Sequence, residues 1–132
     1  MSEQPLVLVA DDDPDILDLV AFRLERAGLA VACATDGERA LRLARERLPR
    51  IAVLDVMMPA LDGLAVTRAI RADARTAAIT VVLLTAGAQE EDVARGLEAG
   101  ADHYMTKPFS PKKLVELVAG LPPAVGNSTR KR

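Results

Sequence analysis

With 132 residues, half of them apolar, the chain is long enough to form the buried core of one domain without disulfide bonds. A net charge of −2 gives no reason to expect that this domain binds nucleic acid, and no apolar run approaches membrane-spanning length. Because Cys33 is the only cysteine and the first residues lack the basic and apolar regions of a signal peptide, we expect a cytoplasmic protein.

Short apolar runs alternate with amphipathic helical stripes along the chain as far as residue 121. Short runs bounded by turn residues are typical of buried strands, and apolar residues spaced by three or four are typical of helices. In chain order the pattern predicts strand 6–10, a helix from 14 to a stop at 28, strand 29–34, a helix from a capping box at 35–38 to about 49, strand 51–55, a helix from 61–63 to near 73, strand 79–84, helix 90–99, strand 102–106 and helix 111–121.

Smaller signals refine this outline at single residues. Asp13 before Pro14, and Ser110 before Pro111, each predict an N-cap followed by proline at the first helical position. Cys33 is predicted to be a small core residue. Beyond residue 121 the apolar period stops, so we predict one domain at 1–121 and a flexible tail or the start of a linker at 122–132.

Five strands that alternate with five helices require a parallel sheet with right-handed crossover connections. The fold class predicted from the residues is therefore α/β, as a doubly wound sandwich of three layers. In such a sheet the carboxyl ends of all strands meet at one edge, and ligands bind in the crevice there.

Polar side chains follow four of the five predicted strands at that edge. They are Asp11 and Asp12 after the first strand, Asp55 after the third, Thr85 after the fourth and Lys107 after the fifth. Three close carboxylates repel one another unless a cation neutralises them, and oxygen ligands of this kind suit Mg²⁺. A carboxylate can also accept a phosphoryl group as an acyl phosphate, which hydroxyl and ammonium donors would stabilise. The sequence thus predicts a magnesium-dependent phosphoryl-transfer site.

Four motifs in this chain resemble the receiver domain of bacterial two-component response regulators. They are Val9–Pro14, Leu54–Pro59 with Gly63, Leu84–Ala86 and Tyr104–Phe109. Each follows a predicted strand and all stand in the family's order, so the resemblance is specific and covers about residues 5 to 121. It implies a flavodoxin-like (βα)5 sandwich with strand order 2-1-3-4-5. It also implies a phospho-switch in two-component signal transduction rather than an enzyme.

The resemblance assigns the metal ligands by position. Asp55 would be the phosphoacceptor, and its carboxylate would bind Mg²⁺ together with Asp12 and the backbone carbonyl of Met57. Asp11 would contribute mainly through water. Asp13 is expected to act as an N-cap rather than as a metal ligand.

The resemblance also assigns the residues that hold and sense the phosphoryl group. Thr85 and Lys107 would bind its oxygens, and the peptide bond between Lys107 and Pro108 would be cis, which helps to aim the lysine. Tyr104 matches the aromatic switch position and would turn inward when Thr85 moves toward the phosphoryl group. An ordinary edge-strand tyrosine is the alternative interpretation of Tyr104.

The partners follow from the same resemblance. The phosphodonor would be a phosphohistidine on a sensor histidine kinase or a phosphotransfer protein, and transfer to Asp55 would be largely self-catalysed. The face formed by the fourth helix, fifth strand and fifth helix would control a downstream output or target. From Gly96 to Lys112 the chain is similar to winged-helix regulators that form homodimers through this face, but the last helix lacks the basic residues expected after Lys113. Homodimerisation is therefore left as an open alternative.

Two other functions compete with the switch. Asp11 and Asp13 form an Asp-x-Asp pattern after a buried strand, as in haloacid-dehalogenase-like phosphohydrolases that would use Asp11. The chain is short for such an enzyme, and that function leaves Asp55 unexplained. A flavodoxin-like binding module is the third alternative, but the sequence has neither a phosphate-binding glycine loop nor stacking aromatic residues.

Overall fold

The computed structural model describes residues 4–86, 90–107 and 109–121, and for residues 90–92 it describes the backbone alone. The predicted tail at 122–132 and the predicted cis peptide bond before Pro108 lie outside the described residues. The elements are β1 (Leu6–Ala10), α1 (Pro14–Arg26), β2 (Ala30–Ala34), α2 (Gly37–Arg47), β3 (Ile51–Asp55), α3 (Gly63–Ala72), β4 (Thr80–Thr85), α4 (Glu90–Ala99), β5 (His103–Thr106) and α5 (Pro111–Gly120). Each predicted strand and helix is thus confirmed within a few residues.

All strand pairs are parallel, and their order in the sheet is β2-β1-β3-β4-β5. The predicted fold class and strand order are therefore confirmed. Helices α1 and α5 pack on one face of the sheet, while α2 and α3 pack on the other. Because side chains alternate along a strand, Leu8 and Leu54 enter one core, whereas Val9 and Val53 enter the other. All four are fully buried, and each stabilises the fold by about 1.5–3 kcal/mol.

Polar side chains fix where the helices begin. Asp13 caps α1, because its side chain accepts a hydrogen bond from the backbone of Asp15, and Ser110 caps α5 in the same way. Asp62 caps α3. In α2 the predicted capping box is displaced by one residue: Asp36 rather than Thr35 is the cap, and its Oδ1 accepts from Arg39 N at 2.8 Å.

The prediction that Cys33 lies in the core is wrong, since its side chain is exposed. Cys33 belongs to β2, which forms an edge of the sheet and has an exposed residue between the buried Ala32 and Ala34. An edge strand is covered on fewer sides than a central one, so period-two alternation leaves one of its faces open to solvent. In the described part of the chain, no helix is both long and apolar enough to cross a membrane.

The amino edge of the sheet, opposite the predicted site, is held together by Arg71 of α3. Its guanidinium donates to the carbonyls of Gly100, Ala77 and Ile79 at 2.9, 3.0 and 2.6 Å. It also pairs with Asp102 at 2.7 Å, and the same Asp102 oxygen accepts from Val81 N at 2.9 Å. Arg71 therefore joins α3 to the segments that lead into β4 and β5.

We expect Arg71→Ala to lower the free energy of unfolding by about 2–3 kcal/mol, because several acceptors and one carboxylate lose their donor together. Arg71→Lys should recover little of that loss, since an ammonium lacks the forked geometry of guanidinium. The matched control is Arg68→Ala, an exposed arginine on the same helix, for which we expect a change within about 0.5 kcal/mol. Urea unfolding of the three variants checks this prediction, and equal losses for Arg71→Ala and Arg68→Ala would contradict it.

Candidate functional site

The predicted site residues do gather at the carboxyl edge of the sheet. Asp11 follows β1, Asp55 is the last residue of β3, Thr85 is the last residue of β4, and Lys107 follows β5. β1 and β3 are neighbours, and between them the order of strands along the sheet reverses relative to the chain. Such a switch point opens a crevice, because the connections that leave the two strands run to opposite faces.

Lys107 links the acidic residues of this crevice. Its Nζ lies 3.0 Å from Asp11 Oδ2 and 3.2 Å from Asp55 Oδ2. The lysine is placed by its backbone, whose N–H donates to the carbonyl of Thr85 at 2.7 Å and so continues the pairing of β4 with β5. Asp11 is fully buried and Asp55 is only 3% exposed, whereas Asp12 is exposed.

Each buried carboxylate is oriented by its own backbone. Asp11 Oδ1 accepts from the N–H of Asp13 at 3.0 Å, and Asp55 Oδ1 accepts a longer bond from the N–H of Met57 at 3.4 Å. In both cases the bond joins residues two apart, which is the pattern of an Asx-turn. The turns use Oδ1 in each residue and leave Oδ2 facing the lysine.

The protonation behaviour of the cluster reflects an excess of negative charge. Burial and the neighbouring Asp11 carboxylate raise the pKa of Asp55 from 3.8 to about 6, against the opposing effect of its hydrogen bond with Lys107. Burial alone would lower the pKa of Lys107, but its contacts with Asp11 and Asp55 outweigh burial, so this pKa is raised. One ammonium therefore does not fully compensate the carboxylates around it.

The residues fit a magnesium ion. One carboxylate oxygen from each of Asp11, Asp12 and Asp55 lies within 4.8 Å of the others. The buried Asp11 Oδ2 is an ion-pair partner of Lys107 but has no hydrogen-bond donor among the described residues. Three carboxylates and one ammonium give a charge of −3 + 1 = −2, which a divalent cation neutralises. Hard oxygen ligands of this kind are those that Mg²⁺ prefers.

The remaining predicted site residues lie on β4, on β5 and in the loop after β3. Thr85 is buried at the end of β4, and Tyr104 is half-buried on β5 beside Leu83 of β4. Met57 lies in the loop after β3. Its side chain is exposed and therefore does not contribute to the core.

Two glycines near the site have a packing role that was not predicted from the sequence. A Cβ atom on Gly63 would lie 2.5 Å from the carbonyl oxygen of Asp55, and one on Gly37 would overlap the carbonyl of Leu61. Both glycines therefore allow helix starts to approach the loop that follows Asp55. The available signal was the Asp-Gly pair, which occurs both at 36–37 and at 62–63.

Comparison with known proteins agrees with the geometry. The family model of the response regulator receiver domain matches residues 7–119. RpaA of Synechocystis, a DNA-binding dual master transcriptional regulator, is 44% identical over 117 residues, which cover 89% of this chain and 48% of RpaA. PhoP of Bacillus subtilis, an alkaline phosphatase synthesis transcriptional regulatory protein, is 45% identical over 108 residues, covering 82% of this chain and 44% of PhoP. The chain thus spans about half the length of these relatives.

A solved structure gives the same result for the fold. The chemotaxis response regulator CheY4 of Vibrio cholerae matches with a TM-score of 0.84 at 29% identity, over 89% of this chain and 98% of CheY4. Receiver domains are regulatory switches rather than classical enzymes, they bind Mg²⁺ at an acidic pocket, and their standard function is phosphorylation on an aspartate by a histidine kinase. The comparisons give no support to the phosphohydrolase alternative. The chain belongs to the response regulator receiver domain family.

Proposed function

We propose that Asp55 accepts a phosphoryl group from a phosphohistidine on a sensor histidine kinase or phosphotransfer protein in the cytoplasm. The observation that carries this proposal is the position of the Asp55 carboxylate, which is buried at the strand end with Lys107 Nζ 3.2 Å from its Oδ2. A nucleophile that is oriented by its backbone and placed beside a cation needs little further catalytic machinery, since phosphoryl transfer depends mainly on positioning and charge stabilisation.

In the proposed transfer, an Asp55 oxygen forms a bond to phosphorus while the bond from phosphorus to the histidine nitrogen breaks. The histidine then takes up a proton and leaves neutral. With a pKa of about 6, Asp55 is mostly ionised at neutral pH and can act as the nucleophile. The Thr85 hydroxyl and the Lys107 ammonium would donate to the phosphoryl oxygens. Attack by Asp55 and later hydrolysis would both be catalysed by this domain itself.

Magnesium is the cofactor that we propose for this step. Asp11, Asp12, Asp55 and the backbone carbonyl of Met57 would hold it, and its charge would offset that of the phosphoryl oxygens. The support is the grouping of the three carboxylates and their uncompensated charge of −3 + 1 = −2 with Lys107.

The signal would leave the site through Thr85 and Tyr104. The two residues lie on neighbouring strands, with Leu83 pairing with Tyr104 and Thr85 with Thr106. A shift of Thr85 toward the phosphoryl group would let Tyr104 turn inward and change the face formed by α4, β5 and α5. Phosphorylation would then shift the population toward the active conformation, because the new contacts form only there.

The output and the extent of the domain belong to the same proposal. RpaA is described as DNA-binding and PhoP as a transcriptional regulatory protein. We propose that residues 1–121 form the receiver and that 122–132 begin a tail or linker, with no nucleic-acid or membrane binding by the receiver itself. Homodimerisation through α4, β5 and α5 stays an open alternative, because the last helix lacks the basic residues expected after Lys113.

The test is to incubate the protein with acetyl phosphate and Mg²⁺ and to locate the phosphoryl group by mass spectrometry. We expect one group per chain, attached to Asp55 and removed by hydroxylamine as an acyl phosphate should be. Modification of Asp11 instead would revive the phosphohydrolase alternative. A protein that stays unmodified with acetyl phosphate, phosphoramidate and a phosphorylated histidine kinase would overturn the proposal.

A further inference from the structure

A cavity of about 550 Å³ lies at the amino edge of the sheet, opposite the acidic crevice. Four separate segments line it: residues 4–6, Ala30, residues 47–50 and residues 78–79. They begin or lead into the neighbouring strands β1, β2, β3 and β4. The volume falls within the range of small-molecule sites in proteins, roughly 300–1,000 Å³, and the lining includes none of the residues of the proposed function.

Two arginines give this cavity its charge. Arg47 is exposed and Arg50 is half-buried, and no aspartate or glutamate is among the residues that line the cavity. Within the described part of the chain neither guanidinium has an ion-pair partner, whereas those of Arg45 and Arg71 each pair with an aspartate. A guanidinium is a planar fork of donors that matches a carboxylate. The cavity therefore presents two positive charges to an anionic group.

The apolar lining includes a leucine in a conformation that leucine rarely adopts. Leu48 caps the end of α2 with φ 47° and ψ 60°, and its side chain is 52% exposed. Glycine or asparagine usually occupies such a left-handed cap, because other side chains crowd the backbone there. Another part of the lining is fixed, since Arg71 donates to the carbonyls of Ala77 and Ile79 at 3.0 and 2.6 Å. An apolar ligand would cover the exposed leucine without having to reshape the cavity.

We propose that this cavity binds a small organic anion whose carboxylate pairs with Arg47 and Arg50 while its apolar body covers Leu48. Residues 122–132 of this chain are a poor occupant, because all charged side chains of that segment are basic. The site would let a small molecule bind at the edge of the sheet that lies opposite the phosphoryl acceptor. The inference goes beyond the proposed function and does not depend on it.

The first test titrates the ¹⁵N-labelled protein with sodium octanoate, a carboxylate with an apolar chain, and follows the backbone amide signals. We expect shifts for Leu6, Arg50 and Ile79, which line the cavity, and none for Asp11 or Asp55. Octanol and inorganic phosphate each offer only half of the recognition, so each should bind at least about tenfold more weakly.

Three outcomes of this titration would overturn the inference. Phosphate that binds as tightly as octanoate would indicate an adventitious ion only. Octanol that binds as tightly would indicate unspecific apolar contact. Octanoate that leaves the amides of the cavity unshifted would show that the cavity is not the site.

The second test separates the charge of the cavity from its apolar lining. The double variant Arg47→Gln with Arg50→Gln should bind octanoate about tenfold or more weakly. Arg42→Gln removes an exposed arginine of α2 that does not line the cavity, and it should change the affinity by less than about twofold. Leu48→Asn should weaken binding without lowering the urea midpoint, since asparagine adopts the left-handed conformation more readily.

Two results of the second test would contradict the proposal. Equal affinity losses in the double variant and in Arg42→Gln would show general attraction by positive charge rather than a site. A Leu48→Asn protein that binds octanoate as tightly as wild type would show that the leucine does not contact the ligand. Neither test uses Mg²⁺ or a phosphodonor, so failure of Asp55 to accept phosphoryl groups is a separate result.

Discussion

Replacing Asp55 with asparagine is expected to abolish phosphoryl acceptance and, at the same time, to make the metal-free protein more stable. The amide cannot act as the nucleophile, so labelling by acetyl phosphate should be lost. The amide is also neutral, and in the wild-type site burial and Asp11 disfavour the charged form of Asp55, which is why its pKa is raised to about 6. A substitution that removes function should thus relieve an electrostatic cost.

The sign and size of the stability effect follow from linkage. In the folded protein the pKa of Asp55 is about 6, against 3.8 as its ordinary value, so the folded state holds the proton more tightly. The stabilisation from this proton is fully present below about pH 4 and is lost as the pH rises through about 6. Near pH 7.5 the ionised carboxylate should cost about 3 kcal/mol relative to a neutral side chain.

Urea unfolding of both proteins in chelator, at several pH values, measures this difference. The advantage of Asp55→Asn should be near zero at about pH 4 and should grow to about 3 kcal/mol at about pH 7.5. Asp62→Asn is the matched control: it caps α3 from an exposed position, and an amide oxygen caps as well as a carboxylate. It should retain labelling and change stability by no more than about 0.5 kcal/mol. An Asp55→Asn protein that is less stable than wild type at neutral pH would contradict the electrostatic argument.

Gly37→Ala is expected to lower the free energy of unfolding by about 3 kcal/mol or more. The added methyl group would overlap the backbone carbonyl of Leu61, and Gly37 N also donates to Pro59 O at 3.1 Å. No side-chain rotation can relieve a clash with backbone, so α2 and the loop after β3 must separate. Because this loop begins directly after Asp55, the variant should also bind Mg²⁺ more weakly.

Gly120→Ala provides the control for Gly37→Ala. Gly120 ends α5, and no heavy atom lies within 4 Å of the place where its Cβ would be. Alanine has the higher helix propensity, so this variant should gain up to about 1 kcal/mol. Thermal and urea unfolding of the two variants provide the comparison. A loss below about 1 kcal/mol for Gly37→Ala would show that the loop adapts without strain.

The sequence predicted the fold because its signals are local and agree with one another. Apolar runs identify central strands, and Asp13 and Ser110 identify helix starts from one or two neighbouring residues. The convergence of Asp11, Asp55 and Lys107 also followed from topology, since the carboxyl ends of parallel strands share an edge.

Features that depend on distant contacts could not be predicted in the same way. Arg71 looked like one of several exposed arginines, and only the folded chain brings it to Gly100 and Asp102. Gly37 is required by a loop that lies more than twenty residues away in the sequence. The exposure of Cys33 depends on β2 being at the edge of the sheet, and the residues of β2 alone do not reveal its place in the strand order.

Arg71 and Asp102 fix β4 and β5 through hydrogen bonds at their amino ends. A displacement of either strand should therefore be smallest at its amino end and largest at its carboxyl end. Thr85 and Thr106 are the carboxyl-terminal residues of these strands and lie at the edge of the sheet that carries the acidic crevice, whereas the amino ends lie at the opposite edge. We therefore expect any rearrangement that starts at the crevice to be largest at the carboxyl ends of these two strands and smallest at the edge that Arg71 holds.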